Sequence, residues 1–261
     1  MAIKIAVVNE SKNNETRVAV VPEIAQKLSS NNVTFSIEKN SGAASGFLDA
    51  DYPENACSFF DVASEALKDA DVLFKVNPPT SEEIGYMKKG ALAVSYMSPF
   101  QNGELIKNMA SSGIDAFSVE LIPRISRAQS MDALSSQASI AGYKAVILAA
   151  NNANKFFPML TTAAGTVRPA QTLIVGAGVA GLQAIATAKR LGSRVIAFDV
   201  RSSTKEQIES LGAQFLDTGI TAEGEGGYAR ELSAEELKAQ KEALSKAMGQ
   251  SDIIITTAAV P

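Results

Sequence analysis

The sequence predicts an α/β protein built on two doubly wound parallel sheets. Three observations lead there. Short β-rich apolar runs alternate with helix-patterned segments along most of the chain. One longer helical pattern separates two halves with the same rhythm. In the second half a glycine-rich turn joins a buried-strand pattern to a helix, at Gly176-Ala177-Gly178-Val179-Ala180-Gly181.

In the first half, strands are predicted at residues 4–8, 34–38, 71–76, 92–96 and 115–121, and helices between them at 21–29, 62–68, 81–87 and 102–111. Parallel strands joined through helices follow from that alternation. A longer helix is predicted from Ser130 to Ala153. Leu134, Ala138, Ala141, Ala145 and Leu148 recur at helical spacing and form its packing stripe; Asp132, Ser135, Ser136 and Ser139 fall nearly opposite. The helix gives way near Phe157-Pro158, and a polar, glycine-containing stretch runs on to Pro169. The predicted organisation is a first subdomain at 1–129, a linking helix at 130–158 and a second subdomain at 159–261.

The second half restarts with the strand pattern 172–175. A helix follows at 179–191, closed by Gly192. Then come a strand at 195–198, a helix at 205–211 and a short strand at 214–216. The loop 217–231 holds Gly219, Gly224, Gly226, Gly227 and Tyr228. A helix at 234–248 leads to a final strand at 252–256. That makes about four strands where a six-strand sheet of this type continues further. The second subdomain is therefore expected to be incomplete at its C-terminus.

Composition narrows the function classes. The chain has 261 residues, is 46% hydrophobic and 20% charged, and carries a net charge of −4. That suits a globular core and argues against nucleic-acid binding. No run of about twenty apolar residues exists to span a membrane, and the short apolar N-terminal run meets Glu10 too soon for a signal peptide. Cys57 is the only cysteine, which rules out an intrachain disulfide and fits a reducing, cytoplasmic setting; it reads as a small buried hydrophobe. There is no histidine. Ser-His-Asp and Cys-His catalysis are thereby excluded, and no metal site is expected.

The motif Gly176–Gly181 carries the strongest chemistry. It follows an apolar strand, opens a helix, and precedes Asp199 at the end of the next strand by 199 − 181 = 18 residues. Gly176 permits the tight turn, Gly178 lets a pyrophosphate approach the backbone, and Gly181 lets helix and strand pack closely. The free N–H groups at the start of the helix favour a diphosphate. Asp199 suits the adenosine ribose hydroxyls and repels a 2′-phosphate, so NAD(H) is expected rather than NADP(H); the nearby Arg201 weakens that preference. Val200 between them counts with the nucleotide-binding residues. This is the pattern of a Rossmann-like dinucleotide site. The plain alternative is a glycine turn that binds nothing.

A second constellation, Pro123-Arg124-Ile125-Ser126-Arg127-Ala128-Gln129-Ser130-Met131-Asp132, lies after a strand and before the long helix. Ligands of parallel sheets sit beyond such strand ends. Two arginines suit a phosphate or carboxylate, and Gln129 suits an amide. Equally, Ser126-x-x-Gln129 matches a capping box with two solvated arginines, and spacing alone slightly favours that reading. Lys75, also at a strand end, suits a carboxylate, although such lysines are more often simply exposed. The loop around Tyr228 reads as a lid or as a plain connection.

The run from Pro123 through Gln137, with Ile140-Ala141-Gly142-Tyr143, resembles the signature of proton-translocating (Re/Si-specific) NAD(P) transhydrogenase, in the NAD(H)-binding domain I of its alpha subunit. Asn13-Asn14-Glu15-Thr16-Arg17-Val18-Ala19 resembles a motif shared with alanine dehydrogenases. Gly176–Gly181, Gly227-Tyr228-Ala229 and Thr256-Thr257-Ala258 match as well, and the resemblance covers essentially the whole chain. It implies two Rossmann-like subdomains, a homodimer, and docking on membrane-bound subunits that carry an NADP(H) domain, with no direct membrane insertion. The protein is then peripheral to the inner membrane through its partners. Hydride passes directly between two nicotinamides. The resemblance assigns Arg124, Gln129, Asp132 and Ser135 to the nicotinamide end, and Tyr228, Thr257 and Ala258 to the nucleotide. The family's domain is longer, which agrees with a C-terminally shortened second subdomain.

That chemistry suits the composition: hydride transfer between nicotinamides moves no proton to or from either substrate, so no general acid or base is required. Two other readings stay open. In an alanine dehydrogenase, Lys75 and Arg17 would hold a carboxylate, but that family's acid/base histidine has no counterpart near Tyr96-Met97-Ser98. In a nucleotide-binding or dimerisation module, the chain would be inert without a partner.

Overall fold

The structure is a computed structural model and describes residues 2–11, 14–220 and 232–258. The chain divides into two compact units, Met1–Ala133 and Leu134–Pro261.

The first unit holds β1 (Ile3–Val7), β2 (Val33–Glu38), β3 (Cys57–Phe60), β4 (Val72–Phe74), β5 (Leu92–Ser95) and β6 (Asp115–Ser118). All six are parallel, in the order β3-β2-β1-β4-β5-β6, the order of a doubly wound dinucleotide-binding sheet. The connecting helices are α1 (Pro22–Ser29), α2 (Ala63–Leu67), α3 (Ser81–Tyr86) and α4 (Gly103–Ser112). Side chains of β1 show why the sheet is covered on both faces. Ile5 and Val7 enter one core with Phe35, Ile37 and Tyr52; Ala6 and the following Val8 enter another with Leu67, Leu73, Ile84 and Met109. A strand buried on both faces reads as a continuous apolar run, which makes β1 recognisable in the sequence. Because every strand points the same way, the residues following β1, β4, β5 and β6 meet at one edge of the sheet.

Ahead of its main sheet the second unit carries a short antiparallel hairpin, β7 (Leu160–Thr162) with β8 (Gly165–Val167). Its main sheet holds β9 (Gln171–Val175), β10 (Arg194–Phe198), β11 (Gln214–Phe215) and β12 (Ile253–Thr256), parallel and in the order β11-β10-β9-β12. Those are the first four positions of the same strand order. Helices α5 (Ala133–Asn152), α6 (Val179–Arg190), α7 (Lys205–Ser210) and α8 (Ala234–Gly249) accompany them. Val146, Ile174, Ala184, Ile185, Val195 and Ile208 form the centre of its core. Helix α8 opens with a reciprocal capping box between Ser233 and Glu236.

Several expectations are corrected. Strand β3 is not among the expected strands; it is a four-residue edge strand. Residues 160–167 are not a plain polar linker but the β7–β8 hairpin, exposed along both strands. The strand after Asp115 stops at Ser118, and Val119–Leu121 is a 3-10 turn. The long helix begins at Ala133; Ser126–Met131 is a separate 3-10 turn. That turn follows Ile125, with no side-chain cap, so the Ser126/Gln129 capping box does not form.

The packing stripe on α5 is also different. Gly142 and Val146 are buried, while Leu134 and Leu148 are 38% and 51% exposed. Size decides the contact. A Cβ on Gly142 would overlap the carbonyl oxygen of Ala180, so the glycine lets the two helices touch backbone to backbone. The helix turns the face with the smallest residue towards α6.

Candidate functional site

Two sets of residues qualify, one in each unit. In the second unit, β9 ends at Val175 and the chain turns through Gly176 into α6. Gly176 has φ +99°, a left-handed value that disfavours any side chain. A Cβ there would also stand 2.7 Å from the amide nitrogen of Ala258. Thr257 seals the turn: its N–H donates to the Val175 carbonyl at 2.8 Å, and its hydroxyl donates to the Gly176 carbonyl at 3.0 Å. A Cβ on Gly181 would overlap that same Gly176 carbonyl oxygen. Both glycines are thus demanded by the fold.

Gly178 is different. It is the N-cap of α6, its φ of −74° is open to any residue, and an added Cβ would meet no atom of the described residues within 4 Å. An N-cap favours glycine mildly, and nothing else among the described residues of the unit calls for one here. The bare backbone leaves room for a ligand to lie against it. Helix α6 has no capping side chain and no acid in its first turn, whereas Lys189 and Arg190 stand in its last. Its N-terminal N–H groups therefore present positive partial charge that no side chain of the helix's first turn offsets, next to the exposed Gly178 and Val179. These features fit a diphosphate.

Asp199 follows β10 and is only 8% exposed. Its Oδ2 accepts from the Ala177 N–H at 2.7 Å and from Arg201 Nη2 at 3.1 Å; its Oδ1 accepts from the Arg201 N–H at 2.9 Å and from Arg201 Nε at 3.0 Å. Burial opposes the charge, but the Arg201 side chain and the two backbone donors outweigh it. The carboxyl is held below its ordinary range. The structure thus brings together Gly176, Ala177, Gly178, Val179, Ala180, Gly181, Asp199, Arg201, Thr257 and Ala258, with Val200 beside them in the chain. Tyr228 lies outside the described residues.

In the first unit, Arg124, Gln129 and Asp132 line one cavity of about 370 Å³ together with Ile125, Ser126 and Ala128. The tight 3-10 turn gathers these positions. Arg127 instead borders a neighbouring, mostly apolar cavity of about 590 Å³. Ser135 stands on the first turn of α5, in the second unit.

The sheet edge of the first unit carries polar residues that sequence reasoning missed. Glu10, 5% exposed, accepts from the backbone N–H groups of Val76 and Asn77 at 2.8 and 2.9 Å. Glu120 reaches back to the N–H of Met97 at 2.9 Å. Burial opposes its charge, but the nearby Ser118 side chain and the backbone N–H groups of Glu120 itself, Ser98 and Met97 outweigh it and hold its pKa below the usual value. Lys75, read either as a carboxylate partner or as simply exposed, is buried and paired with the Glu83 carboxylate at 2.7 Å; Glu83 in turn accepts from the Thr80 N–H and caps α3. Arg17 is paired with Glu15, whose pKa the Arg17 side chain lowers to about 2. The hydroxyl of Tyr96 is buried without a hydrogen-bond partner among the described residues, in the field of Arg17, Glu120 and Asp132. For the residues missed, the one available signal was position: Glu10 closely follows β1, and Tyr96 directly follows β5.

Two family models match this chain: the N-terminal domain of alanine dehydrogenase/PNT over residues 6–141, and the C-terminal domain of alanine dehydrogenase/PNT over residues 145–261. The first part of NAD(P) transhydrogenase subunit alpha of Rickettsia prowazekii is 45% identical across 99% of this chain and 69% of its own length. The crystal structure of transhydrogenase from Sinorhizobium meliloti superposes with a TM-score of 0.86 at 41% identity, across 99% of this chain and 70% of that one. Alanine dehydrogenase 1 of Staphylococcus aureus is 26% identical across 98% of this chain and 65% of its own.

Proposed function

This chain belongs to the alanine dehydrogenase/PNT family, and from that premise we propose that it is the NAD(H)-binding component of a proton-translocating NAD(P) transhydrogenase. The observation that carries the nucleotide site is Gly178, a glycine that neither backbone conformation nor packing requires. Bound NAD(H) supplies the hydride, or accepts it from NADP(H) held on a partner domain.

The residues of this chain bind and orient. The first N–H groups of α6 hold the diphosphate, and Gly178 lets it come close. Asp199 accepts from the adenosine ribose, with Val200, Arg201, Thr257 and Ala258 around it; Tyr228, outside the described residues, counts with the nucleotide-binding set. Arg124, Gln129, Asp132 and Ser135 serve the nicotinamide end. Their task is to bring two rings to about 3–3.5 Å and keep water out. No proton enters or leaves either substrate, so a chain without histidine suffices. Proton translocation resides in other subunits. The working form is a homodimer docked on membrane-bound partners; no helix among the described residues is long and apolar enough to cross a membrane.

The alanine dehydrogenase reading is not favoured. Identity to that branch is lower, and both candidate carboxylate-binding cations are engaged, Lys75 by Glu83 and Arg17 by Glu15.

The test is a fluorescence titration with NADH on the intact chain, its Asp199→Ala variant and its Gly178→Ala variant. Gly178→Ala is expected to melt like the parent and to lose NADH affinity at least tenfold; parental affinity would refute the site. Hydride transfer from NADH to an NADP⁺ analogue should then appear only when the NADP(H)-binding partner is added. Turnover of alanine by the chain alone would refute the transhydrogenase role.

A further inference from the structure

The carboxylate of Asp199 is full. A carboxylate offers about four lone-pair positions, and this one already accepts four hydrogen bonds, two on each oxygen. On each oxygen one donor is a backbone N–H: Ala177 on Oδ2 and Arg201 on Oδ1. These belong to the glycine turn and to the strand end, and they stay wherever the fold stays. The other donor on each oxygen is the Arg201 side chain, Nη2 on Oδ2 and Nε on Oδ1. A ribose diol brings two hydroxyl donors. The lone pairs it needs are the two that the guanidinium occupies.

We infer that Arg201 is the gate and the specificity-determining residue of the adenosine subsite, its side chain leaving Asp199 when a ribose diol binds. This rests on the nucleotide-site reading above. The two partners differ in freedom. Asp199 has 7% of its side chain exposed, and Arg201 has 35%. The arginine is therefore the partner able to move, through solvent at the sheet edge. Released, it stands beside the ribose as a positive charge with a planar fork of donors, suited to phosphate. The residue that competes with NADH for Asp199 is thus also the residue that lends a 2′-phosphorylated nucleotide what affinity it has. Arg201 narrows the preference for NADH from both sides.

The experiment compares the parent chain with Arg201→Ala and Arg201→Lys. The probes are NADH and NADPH, titrated by fluorescence at low and high salt. A partly exposed ion pair is worth about 1 kcal/mol or less, so Arg201→Ala is expected to bind NADH about threefold to fivefold tighter. The same variant should bind NADPH several-fold more weakly. Arg201→Lys keeps the charge but not the fork, and is expected to retain NADPH binding while also binding NADH tighter. In parallel, the Arg201 Nε–H resonance should be protected from solvent exchange without nucleotide and lose protection when NADH is added. NADH affinity that is unchanged or weaker in Arg201→Ala would overturn the gate, because Arg201 would then only orient Asp199. NADPH affinity unchanged in Arg201→Ala would overturn the role in specificity. A parent chain that binds neither nucleotide would refute the nucleotide site itself, a different result from either.

Discussion

Replacing Gly181 with alanine sets two effects of opposite sign against each other. Alanine is the better helix former by about 1 kcal/mol in a helix interior, and less than that in a first turn such as this. Against it stands the contact with the β9–α6 turn. The new Cβ would overlap the Gly176 carbonyl oxygen, lie 2.8 Å from its carbonyl carbon, and lie 2.9 Å from Thr257 Oγ1. None of these atoms is the loose end of a flexible side chain. Gly176 donates to the Phe198 carbonyl at 2.7 Å, and its own carbonyl accepts from Thr257. Relief therefore requires α6 to lift from the sheet, where Ala184, Ile185 and Ala188 are fully buried. Overpacking of this kind costs about 1–3 kcal/mol. The clash wins, and the net loss is about 2 kcal/mol. For a unit of this size that lowers the melting temperature by roughly 5–10 °C. Thermal and urea melts followed by circular dichroism measure it. A variant as stable as the parent, or more so, would show that helix propensity prevails and that α6 does not sit on the Gly176 turn.

Other substitutions probe the first unit. Lys75→Met leaves the nearly buried Glu83 carboxylate without its cation and should cost about 3 kcal/mol. Lys75→Met with Glu83→Leu should recover most of that, short of about 1 kcal/mol for the lost α3 cap; urea midpoints of both decide it. Glu15 has its pKa lowered from 4.5 to about 2, chiefly by the Arg17 side chain, so its stabilising contribution is whole above about pH 4.5 and disappears as pH falls towards 2. Glu15→Gln should accordingly flatten the acid limb of a stability–pH curve across that window, and an unchanged limb would place the pair outside the folded state's energetics. Tyr96→Phe removes a buried hydroxyl that has no partner, so stability should hold or rise by up to about 1 kcal/mol; a loss above about 1 kcal/mol would reveal a hydrogen bond there.

The parallel sheets were legible because strands covered on both faces leave continuous apolar runs, as the 171–175 and 194–198 segments do. The exceptions have particular causes. β3 is four residues at a sheet edge, and its Cys-Ser-Phe-Phe run offers little beyond ordinary composition. The 160–167 hairpin packs on nothing among its own residues that would impose alternation; all six of its strand residues are exposed. On α5, an apolar count favoured Leu134 and Leu148, whereas contact geometry favoured Gly142, and a hydrophobicity pattern cannot weigh backbone proximity. In the site, what is local in the chain was readable, above all the glycine motif and its distance to Asp199. What depends on tertiary reach was not. Glu120 meets Met97 from 23 residues away, Glu10 meets Val76 from 66, and no local pattern encodes either.

The motif's three glycines separate the demands of folding from those of binding. Gly176 is required by its left-handed backbone and Gly181 by the carbonyl beneath it, so both would be glycine in a sheet that bound nothing. Among the described residues such a sheet gives Gly178 no more than the mild N-cap preference for glycine. The carboxylates tell a parallel story: Asp199, Glu15 and Glu120 are each held further from neutrality than an ordinary acid. Groups kept firmly ionised are poor proton shuttles but dependable acceptors. On the proposed reading, such acceptors meet a ribose, the open backbone at Gly178 meets a diphosphate, and a chain without histidine holds a nucleotide still. Of the donors that occupy the Asp199 carboxylate, only the guanidinium of Arg201 can leave while the fold stays intact.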